Sequence, residues 1–350
     1  MIEVISKSVI AEAINQLASD IHFMPHVDSY QIFLRINGQL HFYKNFPLSV
    51  GKQVIAHYKF LANMDVGEKR RPQSGACQFF VNENQRVELR LSTITDVNLI
   101  ESLVIRVIFS TIHQAQQINA YFPKQVDLIR TLIRKKAGLI LLSGPVNSGK
   151  TTTIYQLLRE RVKEEKLQVI TMEDPVEIKE SSFLQTQVNE KIGISYDLLI
   201  KSSLRHHPDI LFIGEIRDEE TARMTLRGAL TGHLMIATIH AKDSLGVIAR
   251  LNELKISQEQ LKQSLIGVVS QRLIPRFCPL CQSKVQLSCP HIPKAFQRAA
   301  LFEILYGKAL KNYLGQLNLL PCFSPINSQL RKAWAYGYIC QKDYEHFEIL

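Results

Sequence analysis

The stretch LILLSGPVNSGKTTTIYQLLRERV, residues 139–162, decides the fold class of this chain. It begins with the apolar run 139–143, which is typical of a buried β-strand. The loop 144–151 then has the spacing Gly-x-x-x-x-Gly-Lys-Thr, and the residues after it are apolar at helical spacing. A strand, a glycine-rich loop and a helix in this order predict a phosphate-binding loop in an α/β fold.

The loop residues have the chemistry that a nucleotide phosphate chain requires. Gly144 and Gly149 carry no side chain, so backbone N–H groups can approach phosphate oxygens closely. Lys150 supplies a cation for the β and γ phosphates, and the Thr151 hydroxyl is a ligand for Mg²⁺. We therefore expect a nucleoside triphosphate, ATP or GTP, with Mg²⁺ as the cofactor, and we assign nucleotide binding to Gly144, Pro145, Val146, Asn147, Ser148, Gly149, Lys150, Thr151 and Thr152.

Length, charge and hydropathy limit the remaining possibilities. The 350 residues are enough for two domains, each with its own core. The net charge of +10 suits an anionic partner, but the basic residues are scattered, so charge alone does not indicate direct DNA binding. No apolar run approaches the ~18 residues that span a bilayer, and the first residues lack a signal-peptide pattern. We expect a cytoplasmic protein.

The first part of the chain, residues 1–110, is predicted to be a small α+β domain. Apolar residues Val9, Ala13, Ile14 and Leu17 recur on one face of a helix. The segment YQIFLRINGQLHFY alternates on both sides of an Asn-Gly pair, which is a strong hairpin signal. A second hairpin with its turn at 82–85 and a strand in SLVIRVI follow.

From residue 124 onward the pattern changes to alternating strands and helices. This alternation predicts a mainly parallel sheet with helices on both faces. The polar, weakly patterned stretch between the two parts is expected to be an interdomain linker. We therefore divide the chain into residues 1–110, a linker at 111–123, and an α/β domain at 124–350.

Three apolar runs of the second domain each end in a chemically useful group. LQVITM is followed by Glu173 and Asp174, DILFI by Glu215 and Arg217, and HLMIATI by His240. Parallel strands end at the same sheet edge, so we expect these groups beside the phosphate loop. Hydrolysis of a γ-phosphate needs a group that orients water and a metal ion that absorbs charge. We assign the first role to Glu173 and the neighbourhood of Mg²⁺ to Glu215, although the sequence leaves the reverse assignment open.

Four long segments resemble one known family in order and spacing. GPVNSGKTTTIYQLL looks like the Walker A segment of the GspE/PilB/PilT secretion ATPases, which serve type II secretion and type IV pilus assembly. TMEDPVE resembles their Asp box, SLRHHPDILFIGEIRD their atypical Walker B segment with Glu in place of Asp, and TGHLMIATIHAKDS their His box. ASDIHFMP, FLRINGQL, RRPQSGA and VELRLST resemble motifs of the domain that precedes the ATPase core.

This resemblance implies a RecA-like P-loop ATPase core behind a PAS-like α+β domain, assembled as a hexameric ring. ATP would lie between the two domains, where arginines of the N-terminal domain close on its phosphates. A planar, permanently charged guanidinium suits that role because it can bond two phosphate oxygens. The matching candidates are Arg71, Arg90 and Arg106. Two further arginines, Arg205 and Arg217, are expected to position the carboxylates.

The sequence departs from the family pattern at two positions. Asn147 replaces the glycine that commonly precedes Ser-Gly-Lys, and Asn is the non-glycine residue that best tolerates a positive φ. Ala76 stands where the family motif has an arginine, so one expected cation is missing.

A cysteine pair predicts a metal site in the second domain. Cys278 and Cys281 have the two-residue spacing that lets both thiolates reach one Zn²⁺. No second Cys-x-x-Cys follows, but Cys289 and His291 would complete a Cys₃His set. The alternative is a loop that folds without metal. Assembly and secretion ATPases of this family typically carry a four-cysteine zinc loop here, whereas pilus-retraction ATPases lack it.

Within the family, the short N-terminal part and RAALFEILYGKAL resemble the competence ATPases of Gram-positive bacteria. We therefore expect a motor that assembles a competence pilus for DNA uptake. Its partners would be identical chains, a polytopic platform protein of the cell membrane and the pilin export machinery. A type II secretion motor or another pilus assembly motor is the alternative in the same class. An ATP-switched DNA-binding or regulatory protein is the alternative from a different class.

Overall fold

The computed structural model describes residues 1–82, 85–108, 117–284, 289–315 and 323–349. The backbone divides into two compact units, Met1–His113 and Gln114–Leu350. Residues 111–116 of the stretch predicted as a linker lie outside the described residues. Its described end belongs to the second unit, because Ala120 forms a bridge with Ala300 and Tyr121 is buried there.

The first unit is α+β, as expected. Among its described residues, six antiparallel strands form one sheet in the order β3-β2-β1-β6-β5-β4. The elements in chain order are α1 (Ile2–Asn15), β1 (Asp20–Pro25), β2 (Ser29–Ile36), β3 (Gln39–Pro47), α2 (Leu48–Leu61), β4 (Gln73–Asn82), β5 (Gln85–Thr95) and β6 (Glu101–Ile108).

Both helices of this unit pack on one face of the sheet. A Cβ atom at Gly51 of α2 would lie 2.2 Å from the Tyr30 ring, so this glycine lets the helix approach the sheet closely. Val9, Ala13 and Ile14 of α1 are buried as predicted. The prediction for Leu17 was wrong, because α1 ends at Asn15 and Leu17 is exposed in the turn that follows, with a φ of +53°.

The Asn-Gly hairpin is confirmed. Asn37 and Gly38 have φ values of +53° and +84°, as a tight two-residue turn between β2 and β3 requires. Strands β4 and β5 pair antiparallel and form the second predicted hairpin, although residues 83 and 84 of its turn lie outside the described residues. Sequence analysis did not predict β1 or α2, although Val54, Ile55 and Tyr58 of α2 recur at helical spacing and are buried.

Lys59 of α2 forms a buried ion pair in this unit. Its ammonium nitrogen lies 2.6 Å from Oε1 of Glu101 and 2.6 Å from the carbonyl oxygen of Glu68, and 1% of its side chain is exposed. The interaction joins α2 to β6 and to the loop before β4. Removal of the ammonium group alone would leave the Glu101 carboxylate buried without a counter-charge, and this is strongly destabilising.

We expect Lys59→Met to destabilise the first unit by about 3–5 kcal/mol, because the Glu101 carboxylate loses its buried counter-charge. Denaturant-dependent hydrogen exchange of residues 1–108 measures the effect. Lys7→Met is the matched control, since Lys7 pairs with Glu3 on the surface and its loss should leave stability unchanged. The double variant Lys59→Met/Glu101→Leu should recover most of the loss. A single-variant effect as small as the control's would contradict the prediction.

The second unit contains a seven-stranded sheet in the order β15-β12-β7-β11-β10-β8-β9, counted over the residues described. The elements are α3 (Pro123–Ile133), β7 (Gly138–Ser143), α4 (Lys150–Glu164), β8 (Val169–Glu173), β9 (Leu184–Gln187), α5 (Tyr196–Ser203), β10 (Ile210–Ile213), α6 (Glu219–Leu230), β11 (Leu234–Ile239), α7 (Ser244–Glu253), α8 (Gln258–Ser264), β12 (Leu265–Pro275), β13 (Phe277–Cys278), β14 (Ser283–Lys284), β15 (Arg298–Tyr306), α9 (Gly307–Leu314), α10 (Ile326–Ala335) and α11 (Gln341–Phe347).

This sheet is parallel except at its β15 edge, where β15 runs antiparallel to β12. One core cluster joins its strands to α6, α7 and α8, and another joins them to α3 and α4. The carboxyl ends of β7, β11, β10 and β8 therefore lie at one edge between two helix layers. None of the helices in the described part of the chain has the length and apolar character to span a bilayer.

Candidate nucleotide-binding site

The loop between β7 and α4 has the backbone conformation that its sequence predicts. Gly144 and Gly149 have φ values of +145° and +83°, and Gly149 is the N-cap residue that precedes α4. Asn147 adopts a φ of +63°, so the asparagine takes the left-handed conformation that the family's glycine would allow. The N-terminus of α4 therefore faces the concave side of the loop, where the backbone N–H groups favour an anion.

Lys150 folds back over this loop. Its ammonium nitrogen donates hydrogen bonds to the carbonyl oxygens of Gly144, at 2.8 Å, and Pro145, at 3.1 Å. Burial lowers the pKa of Lys150, whereas the negative charges of Glu215 and Glu177 oppose that shift. Sequence analysis did not single out Glu177, although it is the last residue of TMEDPVE. The lysine is thus a partly desolvated cation that a phosphate would attract more strongly than carbonyl oxygens do.

Glu215 forms the centre of an ion-pair network at the carboxyl edge of the sheet. Its Oε1 lies 3.2 Å from Nε2 of His240, and its Oε2 lies 2.7 Å from Nε of Arg217. Arg217 also bonds Asp174 through Nη1 at 3.0 Å. The network joins the segments after β8, β10 and β11, as the shared-edge argument predicts. It also places Arg217 where it can orient the carboxylate.

Glu173 has a different environment. It is 3% exposed, and its Oε1 accepts hydrogen bonds from the Tyr155 hydroxyl and, at 2.8 Å, from Thr171 Oγ1. Gln185 in turn donates to the Tyr155 hydroxyl at 2.8 Å. Burial raises the pKa of Glu173. This carboxylate therefore joins β8 to α4 inside the fold, whereas the assignment from the sequence expected it to orient water.

Two of the predicted arginines lie in a row that crosses the first unit's sheet. Direct cross-strand partners run in the order Arg35, Asp20, Arg106, Arg90 and Ala76 over β2, β1, β6, β5 and β4. Nε of Arg106 lies 3.1 Å from Asp20 Oδ1, and Nε of Arg35 lies 3.9 Å from Asp20 Oδ2. Sequence analysis missed Arg35 and Asp20, whose roles depend on strand register. Ala76 occupies the end of the row.

The other predicted arginines are not part of this row. Arg71 lies in the loop before β4, where its side chain is 86% exposed and 3.9 Å from Glu68. Arg205 is exposed after α5 and forms no ion pair within the described part of the chain. Of the sequence-based candidates, only Arg90 and Arg106 are thus direct neighbours in the first unit, and Arg217 contacts the carboxylates of the second.

The four predicted metal ligands converge. Nδ1 of His291 lies 3.6, 3.3 and 3.9 Å from the sulfur atoms of Cys278, Cys281 and Cys289, and the last two sulfurs lie 3.7 Å apart. All four ligand atoms fall within 4.8 Å of one another. Tetrahedral Zn²⁺ with ordinary bond lengths would separate two sulfur atoms by about 3.8 Å. The donor set and its spacing therefore fit zinc.

We expect the purified protein to contain about one zinc ion per chain, because three thiolates and an imidazole form a closed structural site. Elemental analysis of Cys281→Ser and His291→Ala should show that the metal is lost. Cys77→Ser is the control, since Cys77 lies outside the cluster. Chelation should increase hydrogen exchange around residues 277–292 in the wild-type protein. A metal-free wild-type protein with unchanged exchange after chelation would rule out this site.

A phosphate loop at the carboxyl edge of a parallel sheet, beside a glutamate held by histidine and arginine, is the arrangement of the ATP-hydrolysing P-loop class. The comparison with known families agrees. The chain belongs to the type II/IV secretion system protein family, whose model matches residues 1–313. The sequence-based recognition of this family of secretion ATPases is confirmed.

Two similar proteins match over almost the whole chain, and a third matches over more than three quarters of it. The competence protein ComGA of Halalkalibacterium halodurans is 37% identical over 339 residues, which cover 97% of this chain and 96% of that protein. ComGA of Bacillus subtilis is 35% identical over 349 residues, or 99% of this chain and 98% of the relative. ComGA of Streptococcus pneumoniae is 43% identical over 274 residues, covering 78% and 85% of the two chains.

Solved structures show the same fold. The ATPase DotB of Legionella pneumophila superposes with a TM-score of 0.74 at 19% identity, covering 96% of this chain and 93% of DotB. The pilus retraction motor PilT, solved with bound ADP, gives a TM-score of 0.68 at 25% identity, with coverage of 98% and 96%. The predicted α/β fold preceded by an α+β domain is therefore confirmed.

Proposed function

We propose that this protein is an ATP-hydrolysing motor that powers assembly of a competence pilus, through which DNA enters the cell. The observation that carries the proposal is the similarity to ComGA proteins over nearly the full length of both chains. The site of the second unit supports it, because a glycine-rich loop at a helix N-terminus, a lysine cation and a carboxylate at the sheet edge are what γ-phosphate hydrolysis needs.

We assign roles to the residues from their positions. Lys150 stabilises negative charge on the β and γ phosphates, and Thr151 is the expected ligand of Mg²⁺, which when bound neutralises further phosphate charge. Glu215 orients the attacking water, and His240 and Arg217 hold its two carboxylate oxygens. Glu173 keeps β8 and α4 in place through Tyr155 and Thr171. This division gives each carboxylate one task.

Six chains are expected to form a ring, as the family resemblance implies. Arg90 and Arg106 would act on the phosphates of a nucleotide in that ring, because they are direct cross-strand neighbours and form one pair of guanidinium groups. Within the chain, Arg106 bonds Asp20 and Arg90 bonds Glu88. We place the ring in the cytoplasm at the inner face of the cell membrane. Its partners there would be a polytopic platform protein and the pilin export machinery, with mechanical rotation as the output.

A neighbouring function in the same class has support from other relatives. The type IV pilus assembly ATPase PilB of Thermus thermophilus is 37% identical over 299 residues, which cover 85% of this chain but 33% of PilB. The similarity to PilB supports the motor activity, whereas the full-length similarity to ComGA supports the competence system in particular. The similarity to ComGA and PilB gives no support to an ATP-switched DNA-binding protein.

DNA uptake by the source organism tests the proposal. A chromosomal Lys150→Ala variant should lose uptake of labelled DNA while protein secretion, assayed in parallel, remains normal. Lys163→Ala, an exposed lysine in the last turn of α4, is the matched control and should behave as the wild type. Normal uptake combined with a defect in secretion or in another surface fibre would assign the motor to a sister system. Tight, salt-sensitive DNA binding without ATP turnover would favour the regulatory alternative.

A further inference from the structure

Two consecutive polar residues are buried in β12, next to the phosphate loop. Gln271 is 1% exposed and Arg272 is 7% exposed. They follow Ser270, which pairs with Ser143 at the last position of β7 before the loop. Adjacent strand residues point to opposite faces of a sheet, so one side chain faces the phosphate loop and the other faces the helix layer of α7. A buried amide and a buried cation in one strand require partners.

Gln271 supports the phosphate loop from beneath. Its Nε2 donates a buried hydrogen bond of 2.7 Å to the Ser148 carbonyl oxygen. A Cβ atom at Gly144 would lie 2.4 Å from the Gln271 carbonyl oxygen, and one at Gly149 would lie 3.1 Å from Gln271 Nε2. Both glycines of the loop therefore pack against this one residue. Glycine is therefore required at both positions for packing against Gln271, in addition to the close approach of phosphate oxygens to the backbone.

Arg272 holds the segment after β11 from the other face of the strand. Its Nη2 donates to the Lys242 carbonyl oxygen, and its Nη1 lies 3.3 Å from the Gln271 carbonyl oxygen. Both of these acceptors are backbone carbonyls, and the negative charges of Glu303 and Asp243 act on the guanidinium from a longer distance. Lys242 is two residues after His240, which bonds Glu215. The guanidinium thus reaches the base of the loop that bears the histidine.

A carboxylate on the neighbouring strand holds the far end of the same loop. Oε1 of Glu303 in β15 accepts a hydrogen bond of 2.6 Å from the Ser244 backbone N–H, at the start of α7. Glu303 lies opposite Ser270, next to the Gln271–Arg272 pair. Loop 240–244 is therefore attached to the β12–β15 ladder at two points. The same ladder supports the phosphate loop.

We propose that Gln271 and Arg272 are positioning residues that hold the phosphate loop and loop 240–244 in fixed register, so that Lys150 and the His240–Glu215 pair act on the same phosphate. The inference rests on the proposed ATP hydrolysis. Displacing a reacting group by about 1 Å can cost about 100-fold in rate, and two loops attached to consecutive residues of one strand cannot shift independently. Gln271 supports the loop that binds nucleotide, and Arg272 supports the loop that bears the catalytic pair.

The two positions should affect different kinetic constants. Gln271→Leu removes the support of the Ser148 carbonyl, so we expect Kd for ADP and KM for ATP to rise about tenfold with a smaller change in kcat. Gln271→Asn, which keeps an amide but shortens its reach, should change the same constants. Arg272→Lys keeps the charge but loses the fork that spans two carbonyls, so we expect kcat to fall about 10- to 100-fold with nucleotide affinity unchanged.

Steady-state ATPase assays, fluorescent ADP titration and hydrogen exchange on the full-length protein test the proposal. ADP should slow hydrogen exchange of residues 240–246 in the wild-type protein but not in Arg272→Lys. Gln341→Leu and Arg250→Lys change the same residue types on the surface, and we expect these controls to keep the wild-type Kd, KM and kcat. Wild-type kinetics in Gln271→Leu and in Arg272→Lys would overturn the inference. It would also be overturned if each variant lost nucleotide affinity and kcat together, along with thermal stability. If Lys150→Ala retained ATP turnover, the proposed ATPase site itself would be wrong. If Lys150→Ala were inactive while the Gln271 and Arg272 variants behaved as the wild type, only the inference about these two residues would be refuted.

Discussion

Lys150→Ala should abolish ATP turnover, lowering kcat by at least about 10²–10³-fold. The side chain is the cation of the phosphate loop, and it lies between the carbonyl oxygens of Gly144 and Pro145 in a partly desolvated position. Without it, charge that develops on the β and γ phosphates faces only backbone N–H groups and Mg²⁺. Phosphate release by the full-length protein, measured at saturating ATP with Mg²⁺, gives the rate.

The control for this substitution is Lys163→Ala, which removes an exposed lysine of the same helix and should leave kcat unchanged. Circular dichroism should show that both variants are folded, because the loop carbonyls released by Lys150→Ala become accessible to water. Undiminished hydrolysis by a folded Lys150→Ala protein would show that turnover occurs elsewhere.

Glu215→Gln should lower kcat by about 10²–10⁴-fold while ATP still binds. The amide keeps the size of the side chain but has one acceptor oxygen instead of two, and it cannot draw a proton from water. It also loses the charge that holds Arg217 at 2.7 Å and His240 at 3.2 Å. Equilibrium binding of a fluorescent ATP analogue, measured beside single-turnover hydrolysis, separates the two effects. Loss of binding would show that Glu215 is needed for nucleotide affinity rather than for chemistry.

Glu173→Gln provides the contrast that decides between the two carboxylates. Because Glu173 is buried against Tyr155 and Thr171, the substitution should mainly alter the stability of the second unit, with a smaller fall in kcat than Glu215→Gln causes. The two variants are isosteric and differ in where the lost charge lies. A larger kcat loss in Glu173→Gln than in Glu215→Gln would restore the assignment expected from the sequence.

The phosphate loop was predictable because all of its chemistry lies in consecutive residues. The glycine spacing, Lys150 and Thr151 are local, and the tolerance of Asn147 for positive φ is an intrinsic property of that residue. The same holds for the Asn37–Gly38 hairpin and for the cysteine pair, whose partners Cys289 and His291 are close in sequence. In these cases the short chain separation leaves few alternative geometries.

The carboxylates were predictable only in part. Glu173 and Glu215 both follow apolar strands, so the sequence correctly suggested that both lie near one sheet edge. Which of them faces the open edge depends on side-chain direction at the strand end. Glu173 is the last residue of β8 and turns towards α4, whereas Glu215 lies beyond β10, where Arg217 and His240 hold it. The local sequence around the two glutamates does not show which of them faces the open edge.

By itself, the sequence determined the class of protein, the backbone conformation of loop 144–149, the strand before it, the helix after it and the composition of the cysteine cluster, because these depend on neighbouring residues and local periodicity. Only the tertiary structure decided which residues act together over long separations. The row from Arg35 to Arg90 depends on the register of four strands. The support of the loop at 144–149 by Gln271 depends on β12 lying beside β7, a pairing between residues more than 100 positions apart in the chain. Strand register and sheet order arise from packing of the whole unit, and no local signal specifies them.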